Sequence, residues 1–328
     1  MRESIGLGSS VLAVACAVVL TCCVAKVNGD GAGNGGEPGP GRSETTPDPA
    51  APDGAPPPFQ LDGGGADPAP TPPAGPASRT MWAIDDANRM VRFTADDPSK
   101  VTSMAISGLA LGERLQAIDV RPADGKIYGL GTSSRLYVIA GTSGAATAVG
   151  AKTFAPALSG NAFGFDVNPV ADRLRVHSDV EQNLRLDPTM GTATTDAALA
   201  FAPGDVNQGQ SPHLVATAYT NSVSPAPSVT VLYAIDSTRN LLTKLATPND
   251  GKITTVGALG ISITSVAGFD IFGGTSANGA STPLEAYAVL TPTGGKSGLY
   301  TIDLAKGTAT LKGVIGSPTP LHGLAIQP

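Results

Sequence analysis

Three aspartates, Asp119, Asp166 and Asp270, stand in similar short apolar runs, Ile-Asp-Val, Phe-Asp-Val and Phe-Asp-Ile. If these runs are equivalent inner strands of a ring-shaped fold, the carboxylates converge around its axis or on the contacts between repeats. A partial carboxylate ring could hold a hard cation such as Ca²⁺, which prefers several oxygen ligands. The alternative, which we favour from the sequence, is structural: each carboxylate accepts hydrogen bonds from backbone or arginine groups.

Three arginines, Arg173, Arg175 and Arg185, alternate with apolar residues on two neighbouring predicted strands. The nearby acids are Asp166, Asp172 and Asp187. An organised arginine cluster can bind a carboxylate or phosphate with paired hydrogen bonds. We favour a second interpretation, an ion-pair network between repeats, because an unpaired buried charge costs several kcal/mol.

The three histidines of the chain are His177, His213 and His322. His213 and His322 precede predicted inner strands, and His177 precedes a loop that contains Asp179 and Glu181. Histidine with carboxylate is a ligand set for Zn²⁺ or Fe²⁺. Sheets pack near 10 Å apart, so histidines on different repeats would stand ~15 Å or more from one another. Three unrelated surface histidines is therefore the favoured interpretation. The sequence contains no GxSxG, HExxH, P-loop or calcium-loop motif.

A repeat of four short strands must position these residues. Its clearest copy runs from Gly164 to Thr195, where apolar and polar residues alternate in strands separated by turns, with no helical period. Further copies begin near Ala117, Leu214 and Gly268. A glycine follows the third strand of each copy, as a tight hairpin requires: Gly144, Gly191, Gly251 and Gly307.

The two ends of the repeat region each hold an incomplete copy. Gly323–Pro328 is a first strand with nothing after it, whereas Thr80–Ile106 supplies the later strands only. Pairing the two ends completes one unit, closes the ring and removes an exposed sheet edge. The repeat length fits a propeller blade. We therefore predict an all-β, five-bladed β-propeller, with six blades as the alternative if residues 152–161 or 274–283 hide strands; both are interpreted as loops.

Several long runs resemble a known family: DRLRVHSDVEQNLRLDP (172–188), AYTNSV (218–223), PNDGKITTVGALG (248–260) and SGLYTIDLAKGTATLKG (297–313). They are similar to a bacterial secreted family, domain of unknown function 4394, over essentially Thr80–Pro328. The resemblance implies an extracytoplasmic β-propeller and no established activity, ligand or catalytic residue. His177 stands where such proteins would be expected to carry an apolar or small residue, which argues against a family-wide catalytic histidine there.

Composition narrows the classes of function for residues 80–328. This part has 19 acidic and 17 basic residues, and aromatic residues are 5% of the chain with a single tryptophan. These residues show no run of basic side chains and too few aromatic side chains on which bases or sugar rings could stack. Nucleic acid is therefore excluded as a partner, and a lectin that stacks sugars on aromatic rings is disfavoured. All three cysteines lie before residue 26, so the domain has no disulfide and no thiolate metal site.

The N-terminal region predicts export. Residues 1–25 contain a short apolar core, typical of a signal peptide and too short to span a bilayer. Cys22 and Cys23 fit an imperfect lipobox and are the predicted lipidation sites, whereas cleavage after Ala25 would release a free secreted protein. Residues 26–79 hold 13 of the 28 prolines and predict a disordered tether.

These features predict a monomeric, non-enzymatic binding module of the bacterial cell envelope, displayed on a stalk. Its partner would be a protein or an envelope polymer, and a lipid anchor would be its only contact with the membrane. We expect no cofactor other than a divalent cation such as Ca²⁺. The alternative is a metal-dependent hydrolase or lyase with its site at the mouth of the propeller channel.

Overall fold

The computed structural model of the chain describes residues 78–327, which form twenty-one β-strands and one 3₁₀ turn, Pro248–Asp250. No helix in this range is long and apolar enough to cross a membrane. The predicted signal peptide, the lipidation sites Cys22 and Cys23, and the tether up to residue 77 lie outside the described residues and stay predictions.

The strands form five sheets, which we number as blades in chain order. Blade 1 contains β1 (Thr80–Ile84), β2 (Arg89–Thr94), β3 (Thr102–Ala105) and the last strand, β21 (His322–Ile326). Blade 2 contains β4 (Leu115–Val120), β5 (Ile127–Gly131), β6 (Arg135–Ile139) and β7 (Ala146–Val149). Blade 3 contains β8 (Phe163–Asn168), β9 (Arg173–Ser178), β10 (Asn183–Leu186) and β11 (Ala193–Thr195).

The remaining strands form two more blades. Blade 4 contains β12 (Ala200–Phe201), β13 (Leu214–Tyr219), β14 (Leu232–Asp236), β15 (Leu241–Leu245) and β16 (Lys252–Ala258). Blade 5 contains β17 (Ile263–Thr275), β18 (Ser281–Pro292), β19 (Gly298–Ile302) and β20 (Ala309–Val314). The inner strands β4, β8, β13, β17 and β21 contact one another in sequence, and β21 returns to contact β4. This closed circuit confirms the five-bladed propeller, and the alternative of six blades is not realised.

The ring closes through the two ends of the described chain, as predicted. β21 pairs antiparallel with β1, with Met81 opposite Ile326 and Trp82 opposite Ala325. The two ends of the domain thus complete one blade, and the inner edge of β1 is covered. Consequently blade 1 depends on pairing between residues more than 200 positions apart in the sequence.

The hydrophobic core lies between the blades. One cluster joins Met81 and Phe93 of blade 1 to Val289 and Leu299 of blade 5. β4, β8 and β13 are almost entirely buried, whereas the outer strands β3, β7 and β11 expose at least half of their residues. This gradient follows from the stacking of each blade against two neighbours, which covers both faces of the inner strands.

Glycine permits two of the close approaches in the ring. Gly144, after the third strand of blade 2, has φ 71°, a left-handed conformation that favours glycine. Gly268 lies on the inner strand β17, where an added Cβ atom would stand 2.3 Å from the backbone carbon of Gly323 on β21. The inner strands of blades 5 and 1 can therefore approach this closely only without a side chain.

Two local details differ from the sequence predictions. Residues 152–161 contain no strand, but the loop predicted at 274–283 is shorter, because β17 extends to Thr275 and β18 begins at Ser281. This long hairpin keeps pairing beyond the edge of the blade, up to Thr275 opposite Ser281. The second difference is β12, a two-residue strand that pairs parallel with β16 and gives blade 4 a fifth strand.

Candidate functional site

The three aspartates singled out from the sequence come together at the centre of the ring. Asp119, Asp166 and Asp270 lie on the inner strands of blades 2, 3 and 5, and they are 4%, 1% and 4% exposed. One carboxylate oxygen of each lies within 4.8 Å of an oxygen of each of the other two. We refer to these three residues as the axial carboxylates. Blades 1 and 4 carry Ala325 and Ala218 at the corresponding positions.

Backbone N–H groups hold the axial carboxylates in place. Each accepts an N–H from the inner strand of the next blade: Asp119 from Val167 (2.8 Å), Asp166 from Tyr219 (2.9 Å) and Asp270 from Ile326 (2.7 Å). Asp119 also accepts the N–H of Val120 at 2.7 Å. The Oδ2 atom of Asp166 is buried and has no hydrogen-bond partner among the described residues. No arginine or lysine of residues 78–327 pairs with any of the three.

Burial raises the pKa of all three axial carboxylates. For Asp119 and Asp166 the pKa stands well above the usual value, first because of burial and then because of repulsion from the other carboxylates. Burial raises the pKa of Asp270 to about 7, although the N–H groups of Ile326 and Ile271 oppose this shift. The axis of the ring thus places three carboxyl groups where water barely reaches and where their ionisation is disfavoured unless a cation balances the charge.

The free space next to the axial carboxylates is small. Asp119, Asp270 and Ser222 line a cavity of about 10 Å³, near the volume that one water molecule or one ion requires. A cavity of 80 Å³ lies where the inner strands begin, and His322, Asp86 and Gln116 are among its lining residues. Both are smaller than the usual 300–1,000 Å³ of a site for an organic ligand.

The predicted arginine cluster is built around a buried guanidinium. Arg175 is 2% exposed and pairs with Asp196 at 2.5 Å. It also donates to Asn183 (2.7 Å), to Asn249 (2.7 Å) and to the hydroxyl of Tyr219 (3.2 Å). The ion pair lies within blade 3, and the contacts to blade 4 are made by the neutral groups of Tyr219 and Asn249.

Arg173 and Arg185 flank this buried pair and are about half-exposed. Arg185 holds Asp196 with two hydrogen bonds, of 2.8 and 2.9 Å, and Arg173 pairs with Asp187 at 3.3 Å. The three arginines line a pocket of 360 Å³ with, among others, Asn168 and Pro248. Two aspartates therefore compensate much of the positive charge, and Arg175 directs most of its donors to protein groups.

Asp196 was not among the site residues predicted from the sequence. It lies in the run TTDAALA after the outer strand of blade 3, a connection without a counterpart in the other repeats. The available signal was indirect: a buried Arg175 requires a counter-ion, and Asp166, the nearest acid on the adjacent strand, faces the axis instead.

The histidines do not form one ligand set. His177 is fully buried and contacts Thr217 of blade 4, while His322 lies beside Gln116 and 3.5 Å from Asp86. His213 is half-buried at the start of β13. Among residues 78–327, the axial carboxylates are the one group of three potential metal ligands with side-chain atoms close enough to share an ion.

His177 is held in its neutral form. The hydroxyl of Thr217 donates to the carbonyl of Tyr233 at 3.0 Å, so Nδ1 of His177, 3.2 Å away, must donate to that hydroxyl oxygen. Nε2 then carries no proton and has no partner among the described residues. Burial, and secondly the charge of Arg175, lower the pKa of His177 well below 6.5. Protonation of Nε2 would place a donor without an acceptor in the core.

This environment predicts a pH-dependent contribution to stability. The folded-state pKa of His177 is depressed, so its contribution is complete above about pH 6.5 and is lost as the pH falls below that value. The free energy of unfolding of the wild type, relative to His177→Gln, should fall by about 1.4 kcal/mol between pH 7.5 and 5.5. Urea unfolding of both proteins measures this difference, in which the other titrating groups cancel. Thr217→Val, which keeps the histidine, should retain the pH dependence; a constant difference between wild type and His177→Gln would contradict the assignment.

A larger groove separates blade 1 from blade 2. Its volume is about 830 Å³, and apolar side chains form much of its wall, including Trp82, Met104, Ile127 and Ile139. Trp82, the one tryptophan of the chain, packs against the groove, with the guanidinium of Arg92 5.7 Å from the centre of its ring. We call this space the blade 1–2 groove.

The polar groups of the blade 1–2 groove are basic or neutral. Arg92 and Lys126 are exposed at its rim, and Thr102, Thr142 and Thr147 add hydroxyl groups. None of the described residues that line the groove is acidic. Arg92 forms no ion pair within residues 78–327, and its one side-chain hydrogen bond, to Thr80, is long at 3.4 Å. This site was not predicted from the sequence, because its residues come from two blades and each fits an ordinary strand pattern.

Sequence comparison assigns the family. A profile of a domain of unknown function, DUF4394, matches residues 89–325. The chain belongs to this family. The match confirms the resemblance inferred from the sequence and spans all five blades. No curated protein sequence matches the chain.

Solved structures give only distant likenesses. A structural genomics protein of unknown function from Bacteroides thetaiotaomicron has a TM-score of 0.39 and 14% identity, with 72% of this chain and 58% of that chain covered. An auxiliary nutrient binding protein from the same organism has a TM-score of 0.34 and 14% identity, with 62% and 49% covered. Glutaminyl cyclase from Myxococcus xanthus has a TM-score of 0.38 and 12% identity, with 71% and 95% covered. This chain therefore spans about half the length of the first two, and we infer no activity or ligand from any of them.

Proposed function

We propose that the domain is a non-enzymatic binding module that takes its ligand in the blade 1–2 groove. The observation that carries this proposal is the groove itself, 830 Å³ in volume, with apolar walls and the exposed cations Arg92 and Lys126 at its rim. Binding sites for organic ligands usually have volumes of 300–1,000 Å³ and combine apolar walls with a few polar groups that orient the ligand.

The chemistry of the groove defines the class of ligand. Trp82, Ile127 and Ile139 offer an apolar surface, and Arg92 offers a guanidinium with no carboxylate partner among the described residues. An extended apolar chain that carries an acidic group would satisfy both. We propose an envelope molecule of this kind, a polymer or lipid-like chain with a carboxylate or phosphate, as the partner.

The leader and the tether predicted from the sequence support a location at the bacterial cell envelope. An acyl group on Cys22 or Cys23 would hold the propeller on a stalk with an r.m.s. length of roughly 40 Å. Detergent-phase partitioning of the wild type against a Cys22→Ser, Cys23→Ser double variant tests the anchor, since only the acylated protein should enter the detergent phase.

The geometry favours binding over the alternative of a metal-dependent hydrolase or lyase. The cavity beside Asp119 and Asp270 has space for about one water molecule or one ion, and the 80 Å³ cavity where the inner strands begin is too small for most organic substrates. His177, His213 and His322 do not gather into a ligand set. A hydrolytic site would need a metal and a substrate side by side, and the described residues offer no such space on the axis.

Trp82 provides a direct test, because it is the only tryptophan and it lines the groove. Decanoate and 1-decanol, below their solubility limits, serve as an acidic and a neutral probe of equal chain length. We expect a saturable change in tryptophan emission with both probes and about tenfold tighter binding of decanoate, since a charge-assisted hydrogen bond is worth about 1.4 kcal/mol or more.

Arg92→Gln should reduce the preference for decanoate over decanol to about twofold or less, because the amide cannot supply the charge. Arg114→Gln is the matched control: Arg114 is exposed and lies outside the groove, so its replacement should leave both affinities unchanged. No saturable change in emission, or equal binding of the two probes by the wild type, would refute the proposed site.

A further inference from the structure

The described residues include no cationic group that balances the charge of the axial carboxylates. Three carboxyl groups, at most 4% exposed, lie with oxygens within 4.8 Å of one another, and no cationic side chain contacts them. One buried oxygen, Oδ2 of Asp166, has no hydrogen-bond partner within residues 78–327. Buried carboxylates are normally paired, hydrogen-bonded or bound to a metal. Protons or a bound cation must therefore balance this cluster.

The hydrogen bonds favour carboxylates over carboxylic acids. The groups within hydrogen-bond distance of Asp119, Asp166 and Asp270 are all backbone N–H donors. Donors stabilise the ionised form of a carboxylate, and a protonated carboxyl could donate its O–H only to another axial carboxylate, since its other contacts are donors. Because each N–H belongs to a rigid inner strand, the three groups are also held in one arrangement.

We propose that this cluster is a Ca²⁺ site at the axis of the propeller, with Asp119, Asp166 and Asp270 as its protein ligands. All three ligands are carboxylate oxygens, the type that hard cations prefer. Their oxygens lie within 4.8 Å of one another, so the centre of the triangle that they form is at most about 2.8 Å from each, a few tenths of an ångström beyond a Ca²⁺–oxygen bond of 2.3–2.6 Å. The unpartnered Oδ2 atom of Asp166 gains a ligand bond, and the 10 Å³ cavity beside Asp119 and Asp270 leaves room for a water ligand.

The site would act on the stability of the whole ring. Its ligands come from blades 2, 3 and 5, so one ion connects inner strands that the chain itself links only through long connections. Calcium sites of extracellular modules often bind at 10⁻⁴–10⁻³ M, a range that matches calcium outside the cell. The domain would then be most stable in the compartment to which its leader is predicted to send it.

Three measurements on the purified protein test the site directly. Elemental analysis after gel filtration in calcium buffer should find about one equivalent of calcium. EDTA should lower the melting temperature, and 5 mM Ca²⁺ should restore it, by about 2–9 °C for a domain of this size and a dissociation constant of 10⁻⁴–10⁻³ M. NaCl and KCl at equal ionic strength should not replace Ca²⁺.

Asp166→Asn separates the proposed site from a merely structural cluster. The amide keeps the shape of the carboxylate, removes one ligand charge and can donate to a neighbouring carboxylate. We therefore expect this variant to lose the response to Ca²⁺ and to melt above the wild type in EDTA, because it lacks the repulsion. Asp205→Asn is the matched control: Asp205 also accepts backbone N–H groups, from Thr255 and Asn207, but lies in a loop away from the axis. It should keep the full calcium response.

Three results would overturn the proposal: less than about 0.1 equivalent of bound calcium with no effect of EDTA or Ca²⁺ on melting; an equal response to Na⁺ or K⁺; or an unchanged calcium response in Asp166→Asn. The wild-type measurements decide the matter even if the variant folds poorly. They do not depend on the blade 1–2 groove, so either proposal can fail alone.

Discussion

Deletion of residues 322–328 is expected to abolish the cooperative unfolding transition of the domain. These residues contain β21, the inner strand of blade 1, whose Leu324, Ala325 and Ile326 are at most 3% exposed. Loss of a buried leucine or isoleucine side chain alone costs about 2–5 kcal/mol. The deletion removes both, together with the pairing to β1, and total stabilities are only about 5–15 kcal/mol.

The deletion also opens the ring. β1 would become an unpaired edge at the axis, and Asp270 would lose the N–H of Ile326. Circular dichroism during heating should show a broad change with no sharp midpoint. A shorter deletion, of residues 327–328, is the control: it removes one backbone hydrogen bond, from Gln327 to Thr80, and should shift the midpoint by only a few degrees. A sharp transition within about 3 °C of the wild type in the longer deletion would show that closure contributes little.

The sequence was sufficient for the fold because propeller blades are built from local signals. Alternation in strands such as Arg173–Ser178, together with a glycine after the third strand of blades 2 to 5, marks the hairpins of these blades. The incomplete copies at the two ends revealed how the ring closes. The features that were not predicted depend on contacts between residues far apart in the sequence. β12 is two residues long and exists only through its parallel pairing with β16. The length of the β17–β18 hairpin likewise depends on contacts and not on the sequence pattern.

The candidate site was predictable to the extent that repetition fixes geometry. Equivalent positions of inner strands lie around the axis or at the contacts between blades, so the repeat predicted both places for Asp119, Asp166 and Asp270, and the structure brings them together. The repeat could not indicate which N–H group each carboxylate accepts or that an oxygen of Asp166 has no partner. The blade 1–2 groove was equally hidden, because its shape depends on the angle between two sheets. The exposure of a histidine also depends on distant parts of the chain that pack against it. His177 was predicted to lie at the surface, and it is buried.

Asp196→Asn is expected to be the most damaging of the conservative substitutions near the arginine cluster, at about 3–5 kcal/mol of unfolding free energy. Asp196 is the only carboxylate of the described residues that pairs with Arg175, whose side chain is 2% exposed. The amide leaves that guanidinium buried with neutral partners, Asn183, Asn249 and the Tyr219 hydroxyl. Urea unfolding, extrapolated to water, gives the difference from the wild type.

Replacing the arginine of this pair instead of the aspartate should cost less unfolding free energy. In Arg175→Met, Asp196 keeps two hydrogen bonds from Arg185, whose side chain is 35% exposed, so its charge remains paired. We expect about 1–3 kcal/mol, mainly from polar partners left without a donor. The double variant Arg175→Met, Asp196→Asn should lie close to Arg175→Met alone, because the buried cation is then absent. Arg185→Gln is the control for a half-exposed pair and should cost about 1 kcal/mol or less.

The relative stability losses of these variants show whether the arginine pocket can bind an anion. If Asp196→Asn is severe and Arg175→Met mild, the charge of Arg175 is committed to Asp196, and the 360 Å³ pocket has little cation left for an anion. If Asp196→Asn changes stability by less than about 1 kcal/mol, the guanidinium does not depend on its buried carboxylate. Arg175, with Arg173 and Arg185 beside it, would then be available to bind a carboxylate or phosphate, and the pocket would rival the blade 1–2 groove as the ligand site.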